Sequence, residues 1–368
     1  MSAIRYAIAG TGMMGQEHMR NIALLPDATV AAIFEPDAGM AAAAASLAPA
    51  ARHHATFEAL VADAAVDCLV VASPNHLHVG QLEAALSTRP LPVLLEKPLY
   101  TDPADAARIA AIAAQNPLVW VAMEYRYMPP IAALLNEAER VTGGPKLLTI
   151  REHRFPFLEK VGDWNRFNRF TGGTLVEKCC HFFDLMRLIL RADPLRIAAS
   201  GGQAVNHRDE RYGGEMPDIW DNAYVIVDFD NGARAMLELC MFAEGARYQE
   251  EISAVGPTGK IEAFVPGPTR FWPADLGAPP TPQVIVSPRA PKGPRTHAVP
   301  VDETLLDAGD HNGATFYQHR RFADLVRRGG TPDVSLSDGA WAVAMGHAAQ
   351  DAAATHQVVP LTPPFCAR

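Results

Sequence analysis

Six residues near the start of the chain are spaced to hold a phosphate. Gly10-Thr11-Gly12-Met13-Met14-Gly15 fits G-x-G-x-x-G, with an apolar run, Ile4 to Ala9, ahead of it and a helical pattern, Met13 to Leu25, behind it. That strand–turn–helix context is what gives the pattern meaning. Gly10 permits a tight turn, Gly12 lets the backbone approach a pyrophosphate, and Gly15 lets the helix pack on the strand. The helix N-terminus, at Met13 and Met14, presents unpaired N–H groups and a partial positive charge. Glu35 lies 20 residues beyond Gly15, at the end of a second apolar run. A carboxylate there accepts hydrogen bonds from both ribose hydroxyls of an adenosine and repels a 2′-phosphate, which favours NAD over NADP.

Two further residue types suit proton transfer near neutral pH: histidine, and a lysine whose pKa is lowered by burial or by another cation. Lys97 closes an apolar run, Pro92 to Leu95, and so stands at the carboxyl end of a strand, where doubly wound sheets bind ligands. Pro98 beside it is a candidate cis-proline. His181 lies on a helical pattern among Phe182, Phe183 and Leu185. By itself that setting is more often that of a packed or capping histidine than of a catalytic one.

The elements that must position these residues follow from periodicity. Apolar runs at Ile4–Ala9, Thr29–Phe34, Cys68–Ala72, Pro92–Leu95 and Leu118–Ala122 alternate with helical patterns. This rhythm predicts a parallel, helix-covered sheet over about 1–125. Asp37 is placed to cap the Ala-rich helix that follows it. After Tyr125 a helix, Pro130–Arg140, leads into hairpin signals. Ala223–Phe229 and Ala233–Leu239 flank Asp230-Asn231-Gly232, and Ile252–Val255 and Lys260–Val265 flank a Gly-Pro-Thr-Gly turn. Residues 126–368 therefore read as an α+β domain on a mainly antiparallel sheet. Pro266 to Pro300 holds ten prolines and reads as an irregular surface excursion, and two helical patterns, Ala314–Arg328 and Asp338–Thr355, follow it.

Composition narrows the function. The 368 residues are 49% hydrophobic and 20% charged, as in an ordinary globular protein. The 32 basic and 41 acidic side chains leave a net charge of −9, which disfavours nucleic acid and anionic membrane surfaces as partners. No apolar run reaches the roughly 18–20 residues that span a bilayer. The opening Met1-Ser2-Ala3-Ile4-Arg5-Tyr6 lacks the order of a signal peptide. The five cysteines (Cys68, Cys179, Cys180, Cys240, Cys366) form no CxxC pair. These features predict a soluble cytoplasmic protein with free thiols. Adjacent Cys179, Cys180 and His181 diverge on a helix turn, so no metal site is expected.

Three more motifs complete an ordered set: Ser73-Pro74-Asn75-His76-Leu77-His78 after the third strand, Glu96-Lys97-Pro98 after the fourth, and Gly172-Gly173-Thr174 through His181-Phe182-Phe183-Asp184 opening a helix. With the glycine loop, this set resembles the Gfo/Idh/MocA oxidoreductases over essentially the whole chain. The resemblance implies a Rossmann domain and a C-terminal α/β domain whose open sheet mediates a homodimer or homotetramer. It implies NAD(P)-dependent hydride transfer at a carbinol or carbonyl carbon of a sugar or polyol, in a cleft between the domains. It assigns Lys97 and His181 to catalysis, and adds Ser73, Asn75, His78 and Glu96 to the glycine loop and Glu35 as cofactor-binding residues. Glu177, one turn before His181, is expected at the substrate, and Asp184 is expected to orient the imidazole or touch substrate. Many members of the family carry Asp in place of Glu177 and a small or neutral residue in place of Lys178. Arg126 with Tyr125, and Trp164 in an aromatic stretch with polar neighbours, are further candidates for a sugar ring, as are Arg151 and His153; His311 is a candidate for closing the cleft. Two other classes share this fold: glycosidases that retain NAD, and non-catalytic dinucleotide-binding regulators. Retention of both Lys97 and His181 argues against a regulator.

Overall fold

A computed structural model describes residues 3–365, so Cys366 lies outside the described residues. Strands β1 (Ile4–Ala9), β2 (Ala28–Phe34), β3 (Arg52–His54), β4 (Cys68–Val71), β5 (Val93–Leu95) and β6 (Val119–Val121) form one sheet in the order β3-β2-β1-β4-β5-β6. All its pairings are parallel. β4, β5 and β6 are buried along their whole length, which is why they read as unbroken apolar runs and not as alternating ones. Strand order reverses between β1 and β4. The crevice at the carboxyl ends of these two strands is where such sheets hold ligands, and the glycine loop and the Ser73–Asn75 turn both open onto it.

The helix Met13–Ala23 buries Gly15, Glu17, His18, Met19, Asn21 and Ile22. Asp37 caps the Ala38–Leu47 helix, its carboxylate accepting from the Met40 N–H at 2.9 Å. Such a cap is worth about 1 kcal/mol.

The second sheet contains β7 (Leu147–His153), β8 (Pro194–Gly202), β9 (Asn222–Phe229), β10 (Arg234–Cys240), β11 (Glu250–Val255), β12 (Gly259–Val265), β13 (Gln283–Pro288), β14 (Arg295–Ala298) and β15 (Val359–Pro360). Its order is β14-β13-β12-β11-β7-β10-β9-β8-β15. Only β7 and β10 pair in parallel; the other pairings are antiparallel. Burial alternates along β9 to β12, so one face meets helices and the other is open. The Pro266–Pro300 segment corrects the expectation of an irregular excursion. β13 and β14 form a hairpin that extends the sheet edge. Pro282, Pro288 and Pro294 delimit these strands and leave their interiors free to pair.

The motif helix is also not continuous. It runs as Thr174–Glu177 and then Cys180–Leu190, with Lys178 and Cys179 at the join. The closing helices, Ala314–Arg328 and Leu336–Thr355, return to the first domain. There His319 reaches His18, with Nε2 2.8 Å from Nδ1.

Candidate active site

The glycine loop is shaped by two steric facts and one opening. Gly10 has φ +86°, and a Cβ on it would lie 2.7 Å from the backbone of Ala72 and Ser73. A Cβ on Gly15 would lie 2.1 Å from the Gly10 carbonyl oxygen. A Cβ on Gly12 would meet nothing within 4 Å. Gly12 therefore leaves space toward the crevice that internal packing does not need, and a pyrophosphate fits that use. Glu35 is held against the loop: its carboxylate accepts from the Thr11 N–H at 2.6 Å and the Asp37 N–H at 2.9 Å. Met13 is exposed and Met14 half-buried at the loop's edge. Across the crevice, Asn75 is buried with its Nδ2 donors unbonded, while the Ser73 hydroxyl is engaged by Gln81. The residues present fit a dinucleotide.

Two expected cofactor contacts are corrected. His78 is fully buried, with Nδ1 2.8 Å from the Pro98 carbonyl oxygen and Nε2 3.1 Å from that of Ser73. It braces the two loops against each other and offers no group to a ligand. The Glu96 carboxylate is likewise internal, accepting from His18 Nε2 at 2.9 Å and from the Lys97 N–H at 3.2 Å.

Lys97 follows β5, and the Lys97–Pro98 peptide is cis. Its Nζ donates to the Glu177 carbonyl at 3.3 Å. Burial alone lowers its pKa, but Cys180, Glu96, Glu177 and Glu124 outweigh burial and hold it above the ordinary value. Lys97 is therefore a cation at neutral pH and not the lowered-pKa lysine expected from burial. His181 moves the other way. Burial, then the charges of Lys97, Lys178, His311 and Arg154, push it well below the usual histidine range. Its ring stacks on Tyr125 with centroids 4.1 Å apart and planes 7° from parallel, and its Nδ1 has no hydrogen-bond partner. A neutral imidazole beside an ammonium is a base next to an electrostatic clamp.

Glu177 is buried, with Oε1 3.4 Å from Lys160 Nζ and Oε2 unbonded. The Lys160 ammonium also lies 4.4 Å from the centroid of the Trp164 ring, and the ring of His76 from the first domain packs edgewise with it, centroids 6.2 Å apart. Trp164, Lys160 and Glu177 thus face one another near the junction of the two sheets.

Asp184 and Arg126 are corrected. Asp184 does not orient His181; it forms a bidentate pair with Arg126, whose Nε lies 2.6 Å from Oδ2. Arg126 also donates to the Asp333 carbonyl at 2.7 Å and lies 3.8 Å from Asp338. A fork-shaped guanidinium outcompetes a neutral imidazole for a carboxylate. The pair fastens the turn after β6 to the Cys180–Leu190 helix. Arg151 and His153 lie on β7 and pair with Glu238 of β10, also as sheet contacts.

Beyond Lys178, several groups escaped the sequence reading. Lys178 is buried, 2.8 Å from Glu152 and bonded to the Tyr125 hydroxyl. Glu250 stands beside this cluster, and burial, then Glu152, push it up to about 7. Glu17 accepts from His311 Nδ1 at 2.8 Å, the Thr315 hydroxyl at 2.8 Å and the Asp310 N–H at 3.1 Å. Glu17 and His18 could have been found as polar residues on the buried stripe of an amphipathic helix. Glu124 could have been found as a carboxylate at the carboxyl end of a parallel strand.

A doubly wound dinucleotide fold, a glycine loop open at Gly12 and a His–Lys pair define a nicotinamide-dependent oxidoreductase. The chain belongs to the Gfo/Idh/MocA family: the profile of its NAD-binding Rossmann fold matches residues 4–125, and that of its C-terminal alpha/beta domain matches residues 138–361. Among curated relatives, an inositol 2-dehydrogenase of Leifsonia xyli subsp. xyli is 28% identical over 274 residues, covering 73% of this chain and 75% of that one. Among solved structures, a levoglucosan dehydrogenase in complex with NADH and levoglucosan superposes with a TM-score of 0.79 at 19% identity, covering 98% of this chain and 99% of that one. An Agrobacterium radiobacter oxidoreductase in complex with NAD+, L-tartaric acid and magnesium gives 0.79 at 19% identity, covering 98% of each chain. These comparisons lend no support to a retained-cofactor glycosidase or to a regulator.

Proposed function

We propose that this oxidoreductase exchanges a hydride between NAD and a carbinol or carbonyl carbon of a polyol or sugar. The observation that carries the proposal is a buried His181, stacked on Tyr125 with Nδ1 unbonded, on the motif helix whose Glu177 carbonyl accepts from Lys97 Nζ at the carboxyl end of β5. When bound, NAD supplies the hydride acceptor or donor. In the oxidation direction His181 takes the hydroxyl proton. The Lys97 ammonium donates a hydrogen bond to the same oxygen and stabilises the negative charge that grows there. Glu177 and Lys160 bond other hydroxyls, and Trp164 offers an apolar face to a ring. The inositol and levoglucosan dehydrogenases named above agree with this substrate class.

The test is absorbance at the NADH band with NAD and a panel of polyols and sugars that includes myo-inositol and levoglucosan. A rise with one group identifies the substrate. Lys97→Ala and His181→Ala should each lose about 10²–10⁴ in turnover with NADH binding retained. A flat signal across the panel, with NAD binding shown separately, overturns the proposal.

We also propose, with a division into units 1–125 and 126–368, that the open face of the second sheet joins copies into a homodimer or homotetramer. Leu147, Tyr224 and Ile226 are each more than half exposed on that face, an apolar set that suits an interface. Light scattering coupled to gel filtration tests this. Among the described residues no helix is long and apolar enough to cross a membrane, and Cys68, Cys179, Cys180 and Cys240 are free thiols. The free thiols support a reducing, cytoplasmic location.

A further inference from the structure

The proton that His181 takes from a substrate has to leave a residue that is 1% exposed. Glu124 lies between His181 and the partly exposed His311. Glu124 Oε1 is 3.7 Å from His181 Nε2 and 3.8 Å from His311 Nε2. Glu124 is fully buried and neither of its carboxyl oxygens accepts a hydrogen bond. A buried carboxylate left without donors is costly, so an unpartnered one between two imidazoles calls for an explanation. His311 is the outer member: its side chain is 20% exposed and its Nδ1 is anchored on Glu17. The two intervals exceed a direct hydrogen bond by less than 1 Å, a gap that a small side-chain rotation closes.

We propose that Glu124 acts through His181 as its proton-relay partner, exchanging protons with the imidazole on one side and with His311 on the other. The inference rests on the role given to His181 above. In oxidation the substrate O–H bond breaks as a His181 N–H bond forms. That N–H then breaks as an O–H bond forms on Glu124 Oε1, leaving His181 neutral again. His311 gives one proton to water and takes the Glu124 proton in its place, restoring the carboxylate. One proton leaves per hydride transferred, and reduction runs the same path inward.

The electrostatics support this direction. Burial, then Glu96, raise Glu124 to about 7, against the pull of His311 and Lys97 and with a further push from Glu17. His181 lies well below the usual histidine value. Burial lowers His311, but Glu17 and Glu124 together lift it to about 9, against Lys178. Each hop outward therefore reaches a stronger base. These groups face the relay from every side: Glu96 and Lys97 from the loop after β5, Glu17 from the Met13–Ala23 helix, Lys178 from the join in the motif helix and Arg154 just beyond β7. Tyr125 stacks on the His181 ring.

The test compares wild type with Glu124→Gln, which keeps the shape and removes proton exchange, and Glu124→Asp, which keeps a carboxyl. Infrared difference spectra of the wild-type protein across neutral pH, needing no substrate, should show a protonated-carboxyl band that titrates and that Glu124→Gln lacks. With the polyol that wild type oxidises, Glu124→Gln should lower kcat about 10-fold or more, enlarge the solvent isotope effect and be partly rescued by added imidazole, while Glu124→Asp retains part of the rate. Absence of the band overturns the inference, as does a Glu124→Gln enzyme with unchanged kcat and isotope effect. A raised KM for NAD with kcat unchanged also overturns it, making Glu124 a cofactor contact. A wild type inert toward every polyol overturns the role of His181 and this inference with it, whereas an active wild type with an unaffected variant overturns this inference alone.

Discussion

Replacing Gly12 with alanine separates binding from stability. Gly12 has φ −63° and ψ −162°, a conformation open to any residue, and a new Cβ would meet nothing within 4 Å. Loss of glycine's freedom in the unfolded chain stabilises by about 0.4–1 kcal/mol. Alanine is a poorer N-cap than glycine by a similar amount. The terms offset, so apo stability should stay within about 1 kcal/mol of wild type. The methyl group instead occupies space that a pyrophosphate needs. Loss of one charge-assisted hydrogen bond, about 1.5–3 kcal/mol, weakens NAD roughly 10- to 100-fold. At a concentration 100 times the wild-type Kd, ligand stabilisation falls from about 2.7 to about 0.4–1.4 kcal/mol. Urea unfolding without NAD and thermal melts with it report both halves. An NAD affinity within about twofold of wild type refutes the assignment of this space to phosphate. Gly15→Ala is the control: a Cβ 2.1 Å from the Gly10 carbonyl oxygen forces the helix off the strand, so apo stability falls by about 1–3 kcal/mol.

Three other outcomes follow from the buried charges. Glu17, lowered to about 2 despite burial, contributes stability that is present above the ordinary 4.5 and lost as pH falls through the lowered value. His311, lifted to about 9, contributes stability present below 6.5 and lost as pH rises through the raised value. Glu17→Gln should therefore cost about 3 kcal/mol near pH 5.5 and less near pH 9.5 in urea unfolding, and a cost independent of pH would contradict the ion pair. Lys178→Met leaves buried Glu152 with only its longer, 3.5 Å contact to Arg154 and should cost about 3 kcal/mol, part of which Lys178→Met/Glu152→Gln regains; no recovery in the double variant would show that packing, not charge, sets the cost. Asp184→Asn should lower stability by about 3 kcal/mol while leaving the KM for the polyol within about twofold, since Asp184 serves Arg126; a large rise in KM would return it to the substrate site.

Local features of the chain were the legible ones. β4 is apolar throughout because both its faces are buried, and the glycine loop and Lys97 sit in short motifs whose meaning depends on adjacent residues. β3 escaped because Arg52-His53-His54 is a polar three-residue edge, and β13 and β14 escaped because prolines at strand ends resemble prolines within a loop. The charge pairings were illegible for a different reason. Glu17 meets Thr315 across 298 positions and Arg126 meets Asp184 across 58. Nothing local tells a buried carboxylate which cation it will meet. Helical spacing placed Asp184 near His181, but a guanidinium arriving from the end of another strand took it.

The closure of the Met13–Ala23 helix by the Ala314–Arg328 helix has a consequence for how the protein is made. Glu17 finds its side-chain partners at His311 and Thr315, and His18, already paired with Glu96, gains His319, all late in the chain. Between the end of β6 and His319 the ribosome must add roughly 200 residues, which takes about 10–40 s at ordinary rates. Throughout that interval the first domain carries a carboxylate and an imidazole on a face with no cover. The nascent domain waits half-dressed, and a polypeptide released early, short of the final helices, would keep its dinucleotide crevice but expose the flank of the helix that supports it.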